Sequence, residues 1–256
     1  MSDVFGSEYA GAYNLLYGDK DYLAECDLLE ELFRRYATTP VSTVLDLGCG
    51  TGNHAFPISQ RGYDVVGVER ADGMLAQAQR RLSENGRGAK VRFQQGDIRT
   101  VDLGRQFDAA LMMFAVFGYQ LENDDAIAAL KTARRHLAPG GLLIFDFWYG
   151  PAVLRQGPSD RIKVIPVKDG KILRAASGAL DTSRHTCSVH FQVWRLAEHV
   201  LTETDETHAM RYFFPQELRL LLDCCGFTLV RLGAFPDIDK EPCETTWNVL
   251  AVARAV

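Results

Sequence analysis

Three glycines at alternate positions, Gly48, Gly50 and Gly52, stand between an apolar, β-branched run over residues 43–47 and a helical pattern over 54–61. A strand that turns sharply into a helix on such residues brings backbone N–H groups close to whatever lies over the turn, because a residue without a Cβ permits both the bend and the approach. The same texture continues along the chain. From Ser42 to Trp148 short apolar runs alternate with helical stretches, the sign of a parallel sheet wound through helices. The predicted strands are 43–47, 64–69, 90–95, 107–114 and 141–147. The predicted helices between them are 54–61, 73–83 and 124–136, the last closed by Pro139-Gly140-Gly141.

After Trp148 the period drops to two, as in Val189-His190-Phe191-Gln192-Val193-Trp194, with similar alternation over 161–167, 171–176 and 201–213. Such patterning predicts an antiparallel insertion. The parallel scheme resumes with a helix over 215–225, which Gly226 ends, and strands over 228–232 and 246–253. Residues 7–36 read as helical. The expected fold is α/β: a Rossmann-like seven-stranded, mostly parallel sheet with N-terminal helices and an antiparallel β insertion after the fifth strand. Its segments are 1–148 (helices and most of the core), 149–213 (the insertion) and 214–256 (completion of the core).

At 256 residues the chain suits one large α/β domain or a domain with a sizeable insertion. A net charge of −5 argues against a nucleic-acid partner, which needs a basic stripe to release counterions. No run of ~18 apolar residues predicts a membrane span. The segment 1–6 is acidic and lacks the apolar stretch of an export signal, so a cytoplasmic location is expected. The six cysteines show no two-residue spacing of a metal or redox site, and Cys224-Cys225, at the end of an apolar helical pattern, are expected in the core.

Three carboxylates follow the strand pattern. Asp46 stands just ahead of the glycine turn, where it would repel a pyrophosphate but suit a zwitterionic, cationic ligand. Glu69 ends the second predicted strand roughly twenty residues on, the place from which a carboxylate accepts both hydroxyls of a ribose. Asp97, in Gly96-Asp97-Ile98, follows the third. Three acidic positions at successive strand ends define one crevice at the carboxyl edge of the sheet.

The run Asp46-Leu47-Gly48-Cys49-Gly50-Thr51-Gly52, with Glu69 and Asp97, resembles the class I S-adenosylmethionine-dependent methyltransferases across nearly the whole chain. The resemblance implies that Asp46, Gly48 and Gly50 hold the methionine part of S-adenosyl-L-methionine and Glu69 its ribose. Asp97 and Ile98 frame the adenine edge, while Tyr13 and Met113 face the cofactor. Met74 either packs on adenine or belongs to the core.

The segment Met113-Phe114-Ala115-Val116-Phe117-Gly118-Tyr119-Gln120, after the fourth strand, should line the acceptor pocket. It lacks the Asn/Asp-Pro-Pro-aromatic run of enzymes that methylate DNA bases or glutamine amides. Tyr9, Tyr13 and Tyr17 share one helix face at spacing four, which serves either as core or as a lid whose hydroxyls meet cofactor or acceptor. Tyr9, Tyr17, Phe117 and Tyr119 are the candidate catalytic residues, with Phe117 expected to shape acceptor fit.

The patterns Ala12-Tyr13-Asn14-Leu15-Leu16-Tyr17, Lys20-Asp21-Tyr22 and Phe145-Asp146-Phe147-Trp148-Tyr149 are similar to bacterial N-methyltransferases of antibiotic tailoring. These include enzymes of nucleotide-linked aminosugars and lincosamide enzymes that methylate a proline-type ring nitrogen, the latter being the nearer resemblance. Tyr119 stands where aminosugar enzymes often carry a histidine.

The expected partner is thus a small-molecule amine, and a homo-oligomer is compatible with the sequence. The expected products are an N-methylated amine and S-adenosyl-L-homocysteine. None of His54, His136, His185, His190, His199 and His208 clusters in sequence as a metal site would, His190 alternates outward, and no general base is legible. O- or C-methyl transfer would need such a base. A non-catalytic binding module is the remaining alternative.

Overall fold

The computed structural model describes residues 5–85, 88–197 and 200–256. Residues 1–4 of the opening segment, and His199, lie outside the described residues. The expected N-terminal helices are α1 (Ser7–Leu16) and α2 (Tyr22–Tyr36). Asp21 starts the second of them, its side chain accepting the Ala24 N–H at 2.9 Å.

The chain continues through β1 (Thr43–Leu47), α3 (Ala55–Gln60), β2 (Asp64–Glu69), α4 (Asp72–Asn85), β3 (Val91–Gln95), β4 (Phe107–Met112), a 3₁₀ turn (Val116–Tyr119), α5 (Asn123–Arg135) and β5 (Leu137–Trp148). Beyond lie α6 (Gly150–Gln156), β6 (Arg161–Val167), β7 (Gly170–Asp181), β8 (Thr186–Ala197), β9 (Val200–Arg211), α7 (Pro215–Cys224), β10 (Phe227–Ala234) and β11 (Asn248–Ala255).

Seven strands form one sheet in the order β10-β11-β5-β4-β1-β2-β3, in which β11 runs against its two neighbours and the pairs from β5 to β3 are parallel. Alternate residues face opposite layers. Leu45 and Leu47 pack with Leu130 of α5 and Leu218 and Leu222 of α7, whereas Val44 packs with Leu29 and Leu32 of α2 and Ile58 of α3. Burial on both faces explains why these strands read as nearly continuous apolar runs.

Two local expectations are corrected. Pro139-Gly140-Gly141 does not close α5 but lies inside β5, as a bulge: Phe107 pairs with Leu137, yet Ala109 pairs with Leu142. Pro139 has no N–H for the ladder, and Gly140 takes φ +81°. Of the adjacent cysteines, Cys225 is buried but Cys224 is exposed, since neighbours on a helix point about 100° apart.

The insertion is a separate antiparallel sheet, β6-β7-β8-β9, in which β7 and β8 run longer than the alternation suggested. Its inner face meets α1: Tyr9, Tyr13 and Leu16 pack with Ile172 of β7, Val193 of β8 and Met74 of α4. Three tethers hold α1 there. Glu206 of β9 accepts the Gly6 N–H at its start, Thr51 of the glycine turn donates to Asn14 at 2.8 Å, and Lys163 of β6 donates to the Leu16 carbonyl at 2.9 Å. Among the described residues no helix is long and apolar enough to cross a membrane.

Candidate functional site

Strand order reverses between β1 and β4, and an open sheet leaves a crevice at the carboxyl ends beside such a reversal. The glycine turn lies there, pinned to β2 by Gly48 and Cys49 N–H groups that both donate to the Val68 carbonyl, at 2.8 and 3.0 Å. Gly48, Gly50 and Gly52 all take positive φ. A Cβ on Gly48 would come within 2.6 Å of Val116 Cγ1, and one on Gly52 within 2.8 Å of Phe93 Cζ; on Gly50 it would meet only Met74 Cε, at 3.3 Å. Gly48 and Gly52 are therefore required by close packing, while Gly50 keeps the surface of the turn low.

Glu69 is held by the backbone. Its Oε2 accepts the Gly50 N–H at 2.9 Å and its Oε1 accepts those of Arg70 and Ala71, both at 2.8 Å. Burial nevertheless outweighs these donors and pushes its carboxyl up. Asp97 is oriented by Arg99, whose Nε and Nη2 reach it at 2.9 and 2.6 Å and hold its carboxyl below the usual range. A carboxylate offers about four acceptor sites, so Asp97 retains capacity for a further donor.

Asp46 differs from both. Burial pushes its carboxyl up to about 6, and its Oδ2 has no hydrogen-bond partner among the described residues. An idle buried carboxylate oxygen is costly until a donor reaches it. That vacancy, the low surface over Gly50 and the backbone-held Glu69 fit a ligand with an ammonium group at one end and a ribose at the other. Below Asp46, Glu25 links His54 Nε2, at 2.7 Å, to Lys20. Burial pushes the Glu25 carboxyl up, but the bonds from His54 and Lys20 outweigh it and hold it below its usual range.

At the end of β4, Phe114 and Ala115 take φ +70° and +56° in succession. Left-handed backbone costs roughly 1–2 kcal/mol at a residue other than glycine, so neighbouring contacts must hold it. Asp146 of β5 supplies one, its Oδ2 accepting the Ala115 N–H at 3.0 Å. The turn brings the Phe114 ring to 5.0 Å from that of Tyr17.

The tyrosine face closes over this end. Tyr9 and Tyr17 hydroxyls are 3.2 Å apart, and the rings of Tyr13 and Tyr17 are 4.8 Å apart. Burial lifts the phenols of Tyr9, Tyr13 and Tyr119 well above their ordinary range, keeping them protonated. Tyr119 Oη lies 2.8 Å from His208 Nδ1, and His208 Nε2 lies 2.9 Å from Glu206 Oε2. Arg174 of β7 stacks on Tyr17 and Phe191, 5.1 and 5.4 Å from their centroids. Its Nε and Nη1 are buried without hydrogen-bond partners among the described residues.

The structure thus brings together Tyr9, Tyr13, Tyr17 and Met74 in one cluster, with Tyr119 beside them through Phe5. Ile98 borders the main core. Two expected site residues lie elsewhere. Phe117 is fully buried in the core cluster, stacked on Phe213 at 4.7 Å and edge-on to Phe145. Met113 is likewise in the core, with Leu111, Ile144 and Leu250.

Sequence reading missed Arg174, Asp146, Glu206 and His208. A signal existed for one pair: period two places Glu206 and His208 on one face of β9, and leaves His190 outside, 3.1 Å from Asp205.

Residues 44–141 match a family described as a methyltransferase domain. The chain is 29% identical over 238 residues to the dTDP-3-amino-3,4,6-trideoxy-alpha-D-glucopyranose N,N-dimethyltransferase of Streptomyces venezuelae, covering 91% of this chain and 95% of the relative. It is 30% identical over 201 residues, 78% of each chain, to the Bacillus subtilis protein named "Putative methyltransferase YqeM". The solved CcbJ methyltransferase of Streptomyces caelestis superposes with a TM-score of 0.74 at 26% identity, over 92% of this chain and 90% of that one.

Proposed function

Since the chain belongs to the S-adenosylmethionine-dependent methyltransferases, we propose that it methylates the amine of a nucleotide-linked aminosugar. The observation that carries this reading is the end-to-end similarity to a relative named for such a substrate. The chemistry of the site agrees with it: Arg174 offers buried guanidinium nitrogens, Nε and Nη1, without hydrogen-bond partners among the described residues and beside the tyrosines, suited to an acceptor that carries phosphates.

In this reading Asp46 Oδ2 accepts from the cofactor's ammonium, Gly48 and Gly50 let the backbone approach it, and Glu69 accepts from the ribose hydroxyls. Asp97 accepts from the adenine amino group beside Ile98, and Met74 with Tyr13 walls the site. When bound, S-adenosylmethionine supplies a sulfonium methyl, an electrophile that needs only an aligned lone pair. The chain contributes alignment and exclusion of water. Tyr9, Tyr17 and Tyr119 supply hydroxyls to orient the amine, and Phe114 closes the apolar wall.

The relatives named for aminosugar substrates favour the aminosugar over the proline-type ring nitrogen expected from the sequence. Mass spectrometry of products formed with labelled cofactor tests the choice. A dTDP-linked 3-aminosugar should take two methyl groups in succession. A single methyl on a proline-type secondary amine, with none on the aminosugar, would restore the ring-nitrogen reading.

A further inference from the structure

An alkyl amine holds its proton about as tightly as lysine, with a pKa near about 10, so at neutral pH an amine acceptor arrives as an ammonium without a lone pair. Something must take that proton. Three residues widely separated in the chain meet where it could be taken: Tyr119 on the 3₁₀ turn after β4, and Glu206 and His208 on the inner face of β9.

Their roles follow from donor chemistry. A carboxylate only accepts, so the His208 Nε2 that lies 2.9 Å from Glu206 carries the hydrogen. The Nδ1 lone pair is then left for the Tyr119 hydroxyl, 2.8 Å away, which donates to it. Glu206 is fixed in turn by the Gly6 and Phe5 N–H groups, at 2.9 and 3.3 Å, at the start of α1, where the helix dipole favours a carboxylate. A hydroxyl, a base and a group that orients the base are thus aligned in that order.

We propose that Tyr119, His208 and Glu206 form a proton relay that deprotonates the acceptor ammonium ahead of methyl transfer, an inference that rests on the N-methylation reading. Tyr119 is the catalytic residue of the relay, and His208 and Glu206 act through it. The acceptor nitrogen gives its proton to Tyr119 Oη as that hydroxyl passes its own to His208 Nδ1, leaving an imidazolium beside Glu206. The freed lone pair forms the N–C bond while the C–S pair returns to sulfur, and the imidazolium later releases its proton to solvent. Burial disfavours a free phenolate at Tyr119, so the hydroxyl relays the proton without holding a charge.

Among the described residues, few groups face His208. They are Tyr119, Glu206, Tyr9 from α1 with its ring at 5.5 Å, and the rings of Phe5 and Phe191, with Arg174 stacked on Phe191.

The test follows kcat against pH with a dTDP-linked 3-aminosugar and with its 2-fluoro analogue, whose amine is less basic. A relay predicts an acidic limb at the same pH for both, set by the imidazole and not by the acceptor. His208→Gln should lower kcat by about 10²-fold with KM changed by less than about three-fold, and Tyr119→Phe, which keeps the ring, should do the same. In the complex with S-adenosylhomocysteine, the ¹⁵N resonances of His208 should show the Nε2–H tautomer and titrate at the pH of the kinetic limb.

A limb that follows the acceptor's basicity, a Tyr119→Phe kcat within about three-fold of native, or an Nδ1–H tautomer would each overturn the relay while leaving N-methylation standing. Failure of the native chain to methylate either amine, although it binds S-adenosylhomocysteine, would remove both.

Discussion

The glycine turn and the tyrosine face lie at one end of the same sheet but are held by different means. At the turn, Gly48 is pinned to the Val68 carbonyl and Glu69 by three backbone N–H groups, so its geometry is a property of successive strand ends. At the tyrosine face, side chains hold side chains: Tyr9 to Tyr17, Tyr119 to His208, Arg174 to Tyr17 and Phe191. Its members come from α1, the 3₁₀ turn and three strands of the second sheet. A backbone-held site tolerates little change at its glycines, whereas a side-chain-held one can be retuned residue by residue.

The largest expected effect tests which region owns Phe117. Removing a fully buried ring that stacks on Phe213 should cost about 3–5 kcal/mol of stability in Phe117→Ala, measured by urea unfolding. A variant of near-native stability with an altered acceptor KM would return Phe117 to the acceptor side.

A pH experiment probes the turn. Asp46 has its folded carboxyl raised to about 6, above the unfolded value of 3.8, so between these values the folded chain binds the extra proton. Its contribution to stability is therefore fully present below the unfolded value and is lost as pH rises through about 6. Asp46→Asn should remove a penalty of up to about 3 kcal/mol at neutral pH and gain less at pH near 5. Equal gains at both pH values would show that the carboxylate is not desolvated as the fold implies.

Glu69→Ala should lower cofactor affinity by about 1–3 kcal/mol, read by calorimetry with S-adenosylhomocysteine. Unchanged binding would strip Glu69 of its ribose role and leave it a clamp on the turn. The smallest effect on stability is expected for Tyr17→Phe, which removes only a hydroxyl shared with Tyr9. Turnover should fall while stability shifts by less than about 1.5 kcal/mol. Native kinetics in that variant would reduce the Tyr9–Tyr17 pair to packing.

The contrast also governs what could be read in advance. The seven-stranded sheet, the separate β insertion and the placement of Gly48, Gly50, Glu69 and Asp97 at strand ends were legible, because periodicity, glycine conformation and strand length are set by neighbours in the chain. Misreadings fell where a local signal had two outcomes. Pro139-Gly140-Gly141 marks a helix end and a strand bulge equally well, and the register of β4 against β5 chose the bulge. Likewise Phe117 sits in an apolar segment beside the site, but only the packing of α7 and Phe213 on the sheet shows which way its ring turns.

By itself, then, the sequence determined the α/β architecture, the glycine turn and the three carboxylates at the strand ends beside it, all features carried by short stretches of backbone. Tertiary structure alone decided the acceptor end. The left-handed pair Phe114-Ala115 is stabilised by Asp146 from another strand, and the Tyr119–His208–Glu206 chain exists only because β9 and α1 fold back onto the end of β4. Beyond the shared face of Glu206 and His208 on β9, neither is legible locally, because a hydrogen bond between side chains distant in sequence depends on loop closure and strand register and not on the residues beside it.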